Sequence, residues 1–319
     1  NRFSLRSGRR NSMWTFVIRR VGQGLIVVVA AAVVVFLLTR AFTDPVDFVL
    51  PLEATEEQRE AREAELGFDR PIIVQFGDYV EDLSRGDFGE SLWQPGRSTI
   101  DIVGQTLPKT LQLVAAGMTL AIALALPMGM IAARRPGGVL DRILVTTSLI
   151  GLSMPQFFVG LLLLIVFAVQ LQWLPVSGYG GFSHLILPAL ALALPAVGRL
   201  TMVVRSAMID ELNSQYVRVS KAKGTPTRVI FTKHAFRNAG VQVLTLSGWE
   251  ITRALAGFTV VVEKVFAWPG FGLFALEAIQ RRDIFLLSTI VLVAAILVVT
   301  VNVIIDILYK VIDPRIELT

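Results

Sequence analysis

Apolar residues in this chain gather into long uninterrupted runs rather than recurring at the spacing of a strand or a surface helix. Val21–Thr39 and Thr110–Ala133 hold no charged residue, and Ile143–Gly198 holds none for 56 residues. A helix crosses the ~30 Å hydrocarbon core of a bilayer with about 20 apolar residues. Each of the first two runs therefore predicts one span. The third predicts two, folded at "QWLPVSGYGG" (172–181), where turn-forming residues collect. The fourth span continues through Arg199 to about Ala207. A fifth runs from about Ala239 to Val262 and a sixth from Ile284 to Ile305. The pattern predicts an all-α integral membrane fold with six transmembrane helices, over about 15–42, 107–133, 142–171, 184–207, 239–262 and 284–308.

The polar segments between the runs are segregated by sign. Arg2, Arg6, Arg9, Arg10, Arg19 and Arg20 precede the first acid, Asp44; Arg134, Arg135 and Arg142 separate spans two and three. Residues 208–238 carry Arg218, Lys221, Lys223, Arg228, Lys233 and Arg237 against Asp210 and Glu211. With six spans all three basic regions fall on one side, which the positive-inside rule makes cytoplasmic, together with both termini. On the other side, residues 43–106 contain 15 acids and 5 arginines, a net of −10. Within them "TEEQREAREAELG" (55–67) has a capping box, Thr55 with Gln58, and a terminating Gly67. Pro71 suits the first turn of a second helix, "PIIVQFGDYVEDL". This segment is expected to be a small helical extracytoplasmic insertion.

Composition agrees with a membrane protein: 54% hydrophobic, 17% charged, mean hydropathy +0.64, where soluble domains carry about 25% charged residues. The absence of cysteine excludes disulfides and thiolate metal sites. Met13, followed by "WTFVIRRV", reads as a natural start, with residues 1–12 an extension ahead of it, and the first span is too long for a cleaved signal peptide. The chain lacks the G-x-x-x-x-G-K-[ST] phosphate loop, and His184 and His234 lie far apart in the topology, which argues against a metal-based active site. Pro155, Pro188 and Pro195 place kinks in spans three and four. Glu250 and Arg253, three residues apart near the middle of span five, read either as an internal ion pair or as residues on a translocation path, since charge at the bilayer centre is costly.

The loop 208–238 is the most specific feature. "YVRVSKAKG" followed by "HAFRNA" resembles the coupling loop of bacterial ABC-importer permeases, closest to the dipeptide/oligopeptide permease family, whose usual pattern is Y-V-R-T-A-R-A-K-G and then H-A-L-R-N-A. "FVIRRV", "FLLTRAFTDPVD", "LGFDRPIIVQF", "RGDFGESL", "LPKTLQL", "GLSMPQFFVG", "LILPALALALP", "VVVEKVFAWPGFG" and "DILYKVIDPR" extend the resemblance, in order, over nearly the whole chain from Met13. It departs where the family's threonine–alanine becomes Val219–Ser220, and where the broader importer signature of an acid, two alanines, three residues and glycine is not met before Gly224.

The resemblance implies a multi-pass subunit of the bacterial cytoplasmic membrane that is not itself an enzyme and moves dipeptides or oligopeptides. Its implied partners are a second homologous permease, two cytoplasmic ATPase subunits that hold ATP and magnesium, and an extracytoplasmic substrate-binding protein, in membrane lipid and with no nucleic acid. No cofactor is implied in this chain. Tyr216, Val217, Arg218, Ser220, Lys221, Ala222, Lys223 and Gly224 would form the coupling helix and its turn, with Tyr216 and Val217 offering an apolar contact to an ATPase. Glu250 and Arg253 are candidates for the path. Glu263, Phe266, Trp268, Pro269, Gly270 and Phe271 are candidates for an extracytoplasmic gate or binding-protein contact, with Trp268 alternatively an anchor at the membrane interface. A secondary transporter or channel for a small polar solute is the rival reading; it would be expected to carry an inverted repeat of broken helices, which the sequence does not show.

Overall fold

A computed structural model describes residues 4–41, 55–66 and 69–312. Residues 43–54, the terminating Gly67 and the chain beyond Ile312 lie outside the described residues. Among those described, regular structure is helical apart from one isolated antiparallel bridge between Glu90 and Ser98. The chain divides into two compact units, residues 1–109 with 270–300 and residues 110–269 with 301–319.

The first unit contains α1 (Ser4–Ala41), α2 (Glu56–Leu66), α3 (Ile72–Arg85), the start of α4 (Thr99–Arg134), α11 (Phe271–Gln280) and most of α12 (Ile284–Ile312). The capping box forms as expected. Thr55 N–H donates to Gln58 Oε1 at 3.1 Å and Gln58 N–H to Thr55 Oγ1 at 3.4 Å, reciprocally filling two donors that no helical carbonyl reaches. α3 begins directly after Pro71 and ends at Gly86 in the left-handed conformation. Phe36 of α1 packs edge-on against Phe76 of α3, 5.2 Å between ring centres, with Tyr79 beside it. A core of Ile102, Val103, Phe271, Ala278, Leu286 and Ile290 joins α4, α11 and α12.

One carboxylate organises the loop leading into α4. Asp283, fully buried, caps α12 by accepting from Leu286 N–H at 3.0 Å. Its other oxygen accepts from Trp93 N–H at 3.0 Å and from the Ser91 hydroxyl. A helix start that would otherwise leave donors open thus fixes a loop almost 200 residues earlier in the chain.

The second unit is built around α7 (Phe182–Leu212). In the unbroken candidate spans Trp14–Thr39, Thr99–Arg134, Phe182–Leu212 and Ile284–Lys310, the most apolar stretch is 17%, 33%, 67% and 22% buried respectively, so α7 is the central helix. Pro188 and Pro195 lie inside α7 without dividing it. α7 packs on α5 (Val139–Ser153), α6 (Gln156–Leu163, continuing with π-helical geometry to Gln170) and α9 (Phe236–Arg253). The short α8 (Gln215–Ala222) precedes α9, and α10 (Thr259–Val265) follows it. A core of mostly small and aliphatic side chains, among them Leu113, Ala191, Leu192, Ala196 and Leu200, closes around Phe266 and Trp268.

Two expected spans are not single helices. Residues 142–171 form α5 and α6, bent by 103°. Pro155 has no N–H to donate and drives Met154 into extended backbone (φ −79°, ψ 129°), which ends α5. Residues 239–262 are also broken: α9 passes through a π-helical turn, Ala254–Phe258, in which Gly257 takes φ 122°. Only glycine adopts that conformation at little cost. Four helices are long and apolar enough to cross a bilayer unaided, and the bent pair makes a fifth, so six unbroken spans are not present among the described residues.

α5 and α7 approach closely at Gly198, where an added Cβ would lie 2.6 Å from the Ser148 carbonyl oxygen. At Gly151, on the other helix, the nearest atom would be at 3.5 Å, an ordinary contact. Gly198→Ala should therefore destabilise the protein by roughly 1–3 kcal/mol through overpacking against a backbone that cannot swing away. Gly151→Ala should leave stability unchanged or slightly raised. Thermal unfolding of the two purified variants in the same detergent checks this; equal midpoints would contradict it.

Candidate functional site

The basic segment 208–238 folds as a helix, a tight turn and a second helix. α8 is held to its surroundings by one buried aliphatic residue and one carboxylate. Val217 is fully buried. Glu211, at the end of α7, accepts from the Tyr216 hydroxyl at 2.6 Å and from Asn238 Nδ2 at 3.2 Å, tying α7, α8 and the start of α9 together. Burial first, and then the bond to Glu211, push the Tyr216 hydroxyl pKa up, so it stays protonated and remains a donor at neutral pH. Ser220 Oγ bonds back to the Tyr216 carbonyl at 2.8 Å. Gly224, at φ 78°, closes the turn: its N–H donates to Lys221 O at 3.0 Å, and Thr225 N–H donates to Ser220 O at 3.1 Å.

The outward face differs from the expectation. Val217 and Tyr216 cannot form an apolar contact for a partner, because one is enclosed and the other is half-buried with its hydroxyl bonded to Glu211. Two residues along a helix lie on nearly opposite sides, so Val219, 53% exposed, is the apolar residue α8 shows outward. Around it Arg218, Lys221, Ala222 and Lys223 are exposed, as are Arg228, Lys233 and Arg237 after the turn. The surface is one aliphatic knob in a field of cations.

The charge pair expected in α9 is a triad. Glu250 is buried, and Arg199 of α7 engages it with a side-on fork: Nε to Oε1, and Nη2 to Oε2 at 2.9 Å. Arg253 Nη2 reaches Oε2 at 3.1 Å. The reading of Glu250 and Arg253 as a self-sufficient pair is thereby corrected. Arg199 was legible as the first charge after the 56-residue apolar run, and a charge in a spanning helix must find an opposite charge within the protein.

A second fork, between Arg205 of α7 and Asp141, lies near the start of α5. Nη2 meets Oδ2 at 2.8 Å, Nε meets Oδ1, and Asp141 also accepts the Gly137 N–H at 2.7 Å. Neither residue stood out in the sequence, where Asp141 was hidden in a basic loop.

The motif 263–272 is interior. Glu263 and Trp268 are fully buried, Phe266 is 2% and Phe271 5% exposed, Gly270 is buried, and Pro269 is half-buried. Glu263 accepts the Thr110 hydroxyl at 2.6 Å, and Trp268 meets Tyr179 edge-to-face at 4.9 Å. The expectation that Phe266, Trp268 and Phe271 form a docking floor, or that Trp268 anchors at the membrane interface, is corrected: enclosed rings offer no surface. The aromatic residues serve packing, and the motif's exposed side chains are Lys264 and Ala267.

Comparison with known proteins accords with this architecture. Residues 125–318 match the family described as "Binding-protein-dependent transport system inner membrane component", and residues 13–114 match the N-terminal region of such membrane components. Over 96% of its length the chain is 35% identical to a protein of Sinorhizobium fredii named "Probable peptide ABC transporter permease protein", covering 100% of it. It is 34% identical, again over 96% of its length and 100% of the relative, to the oligopeptide transport system permease protein AppB of Bacillus subtilis. The di/tripeptide transport system permease protein DppB of Pseudomonas aeruginosa is 37% identical, with 96% and 99% covered. A chain of the MetNI methionine ABC transporter, solved in an inward-facing conformation, superposes with a TM-score of 0.58 at 17% identity, covering 66% of this chain and 96% of that one. The chain belongs to the family of inner membrane components of binding-protein-dependent transport systems.

Proposed function

We propose that this chain is the permease subunit of an ATP-driven importer of dipeptides and oligopeptides. The full-length similarity to relatives named as peptide permeases carries this reading. In the assembly, a second homologous permease completes the membrane path, and a substrate-binding protein delivers peptide from outside. Two ATPase subunits supply ATP and magnesium, and hydrolysis takes place on them. The chain crosses the membrane six times with both ends in the cytoplasm. The fifth passage is the broken run α9–α10, and residues 43–106 lie outside.

α8 and its turn are the part an ATPase holds. The exposed Val219 fits an apolar notch, and Arg218, Lys221 and Lys223 are complementary to an acidic rim, which favours a docking orientation and speeds encounter. Val217 and Glu211 transmit the load inward. Arg253, held by the buried Glu250, faces the path, and Glu263 with the turn at Pro269–Gly270 shapes its outer end. The test is reconstitution of the complete complex in liposomes. ATP-dependent accumulation of peptide that requires the binding protein supports the reading, and uptake driven by an ion gradient without the ATPases would overturn it.

Two further outcomes follow from this reading. Gly224→Val forces a β-branched residue into a left-handed turn, a strain of about 1–2 kcal/mol. The correctly turned loop should fall about tenfold in population, with a matching loss of transport-linked ATPase activity in the folded, membrane-inserted protein. Wild-type coupling in that variant would remove the loop from this role. For topology, single cysteines at Glu60 and Thr227, both exposed, would be unique because the chain has none. The first should react with impermeant maleimide on intact cells and the second only after permeabilisation; the opposite pattern would reverse the orientation.

A further inference from the structure

The charge triad is unbalanced. Two guanidinium groups face one carboxylate, so Arg199, Glu250 and Arg253 together carry a net positive charge. The two arginines are also differently employed. Arg199 spends its forked edge on Glu250, the strongest geometry available to such a pair. Arg253 gives Glu250 one N–H, and its Nε is enclosed without a hydrogen-bond partner, while the side chain as a whole is 25% exposed. What holds Arg253 is aromatic: its guanidinium carbon lies 5.2 Å from the centre of the Trp249 ring and 4.6 Å from that of Phe258. Cation–π contact steadies the group without using its donors.

The surface beside it is not one that lipid would cover. Gln242, Thr245 and Trp249 are exposed and Thr252 half-exposed, at spacings of three and four that place them along one side of α9. Thr252 bonds across to Asn302 of α12 at 3.1 Å. Thr245 and Thr252 are satisfied within the protein, by the Val241 carbonyl and by Asn302, so Gln242 and the partly exposed Arg253 are what this side offers to water or a polar occupant.

From this geometry we infer that Arg253 is the recognition residue of a carboxylate subsite, which reads the negative charge of the cargo as it passes. Arg199 and Glu250 are its positioning residues. The inference rests on the peptide-importer reading above and deepens it by naming the chemical group recognised. The acceptor is a carboxylate, from the free C-terminus of a peptide or from an acidic side chain. A guanidinium takes that planar group in two parallel bonds through its terminal nitrogens, whereas an ammonium in the same place offers only a point charge. Glu250 keeps the surplus near one unit, so that a passing anion is attracted but not trapped.

The experiment uses the complete complex in liposomes and measures transport per loaded binding protein, with loading determined separately for each cargo. The cargoes are tri-alanine, tri-alanine amide, and Ala-Glu-Ala amide. The wild-type complex should move tri-alanine about tenfold faster than its amide, the difference expected of a charge-assisted hydrogen-bonded pair. If Ala-Glu-Ala amide matches tri-alanine, any carboxylate serves; if it matches tri-alanine amide, the C-terminus alone is read. Arg253→Gln should abolish the preference by slowing the carboxylate-bearing cargo several-fold more than the amide, until the three rates are equal. Arg253→Lys should keep a reduced preference, and it carries the test if the glutamine variant does not assemble. Equal slowing of all three cargoes would show that Arg253 only holds the structure or a neighbouring subunit, and a preference surviving both substitutions would remove it from recognition; either overturns the subsite. Failure of the wild-type complex to move any of the three would instead strike the peptide-importer reading.

Discussion

A charged or hydroxyl group enclosed among apolar helices has only the protein itself to bond to, and this constraint explains the placement of the buried polar contacts in the structure. Three buried carboxylates sit where each satisfies more than one segment. Glu250 takes two arginines from different helices, and Asp141 takes Arg205 and a loop N–H. Asp283 takes a helix start, a hydroxyl and a backbone N–H from the loop before α4. Apolar contact gives these helices affinity without a unique arrangement, since one aliphatic surface slides over another at small cost. Forked bonds between arginine and carboxylate admit one register, and removing either partner leaves an uncompensated charge worth several kcal/mol.

The same logic reaches the polar end of α7. There the basic segment 208–238 lies outside the apolar runs, so water could satisfy its groups, yet Glu211 still gathers the Tyr216 hydroxyl and the Asn238 amide. The result is a short helix of eight residues that would be marginal alone but is held at both ends, by Val217 below and by the Gly224 turn beyond. Its exposed side carries none of that load, because its inner side has settled the fold.

Much of this was legible before the structure. Four apolar runs announced helices by length alone, the Thr55–Gln58 box and the Gly224 turn were written in single residues, and ordered motifs carried the family. What was hidden depended on partners distant in sequence. Arg199 and Glu250 are 51 residues apart, and Asp141 and Arg205 are 64 apart; no local pattern joins them. The interior position of Trp268 was misread because an aromatic residue next to proline and glycine looks the same at a membrane surface and in a packed turn. The break at Gly257 was missed because hydropathy sums apolar character and ignores backbone direction, whereas the kink expected at Pro155 is present as a bend of 103°. Pro155 was visible, but Pro188 and Pro195 show that proline alone does not divide a helix.

α7 stands apart from its neighbours in one further respect. It runs 31 residues without interruption, about 46 Å at 1.5 Å per residue, while α5–α6 and α9–α10 are jointed. Along this helix sit Arg199, then Arg205, then Glu211, and only Asn213 and Ser214 separate Leu212, where it closes, from the start of α8. In mechanical terms the unit is one stiff member with compliant ones packed on it. A displacement along the α7 axis carries Arg199, Arg205 and Glu211 together, whereas the jointed helices can bend at Met154 and Gly257. The second unit thus has one continuous helix and two jointed ones, and the arginine forks fasten the one to the others.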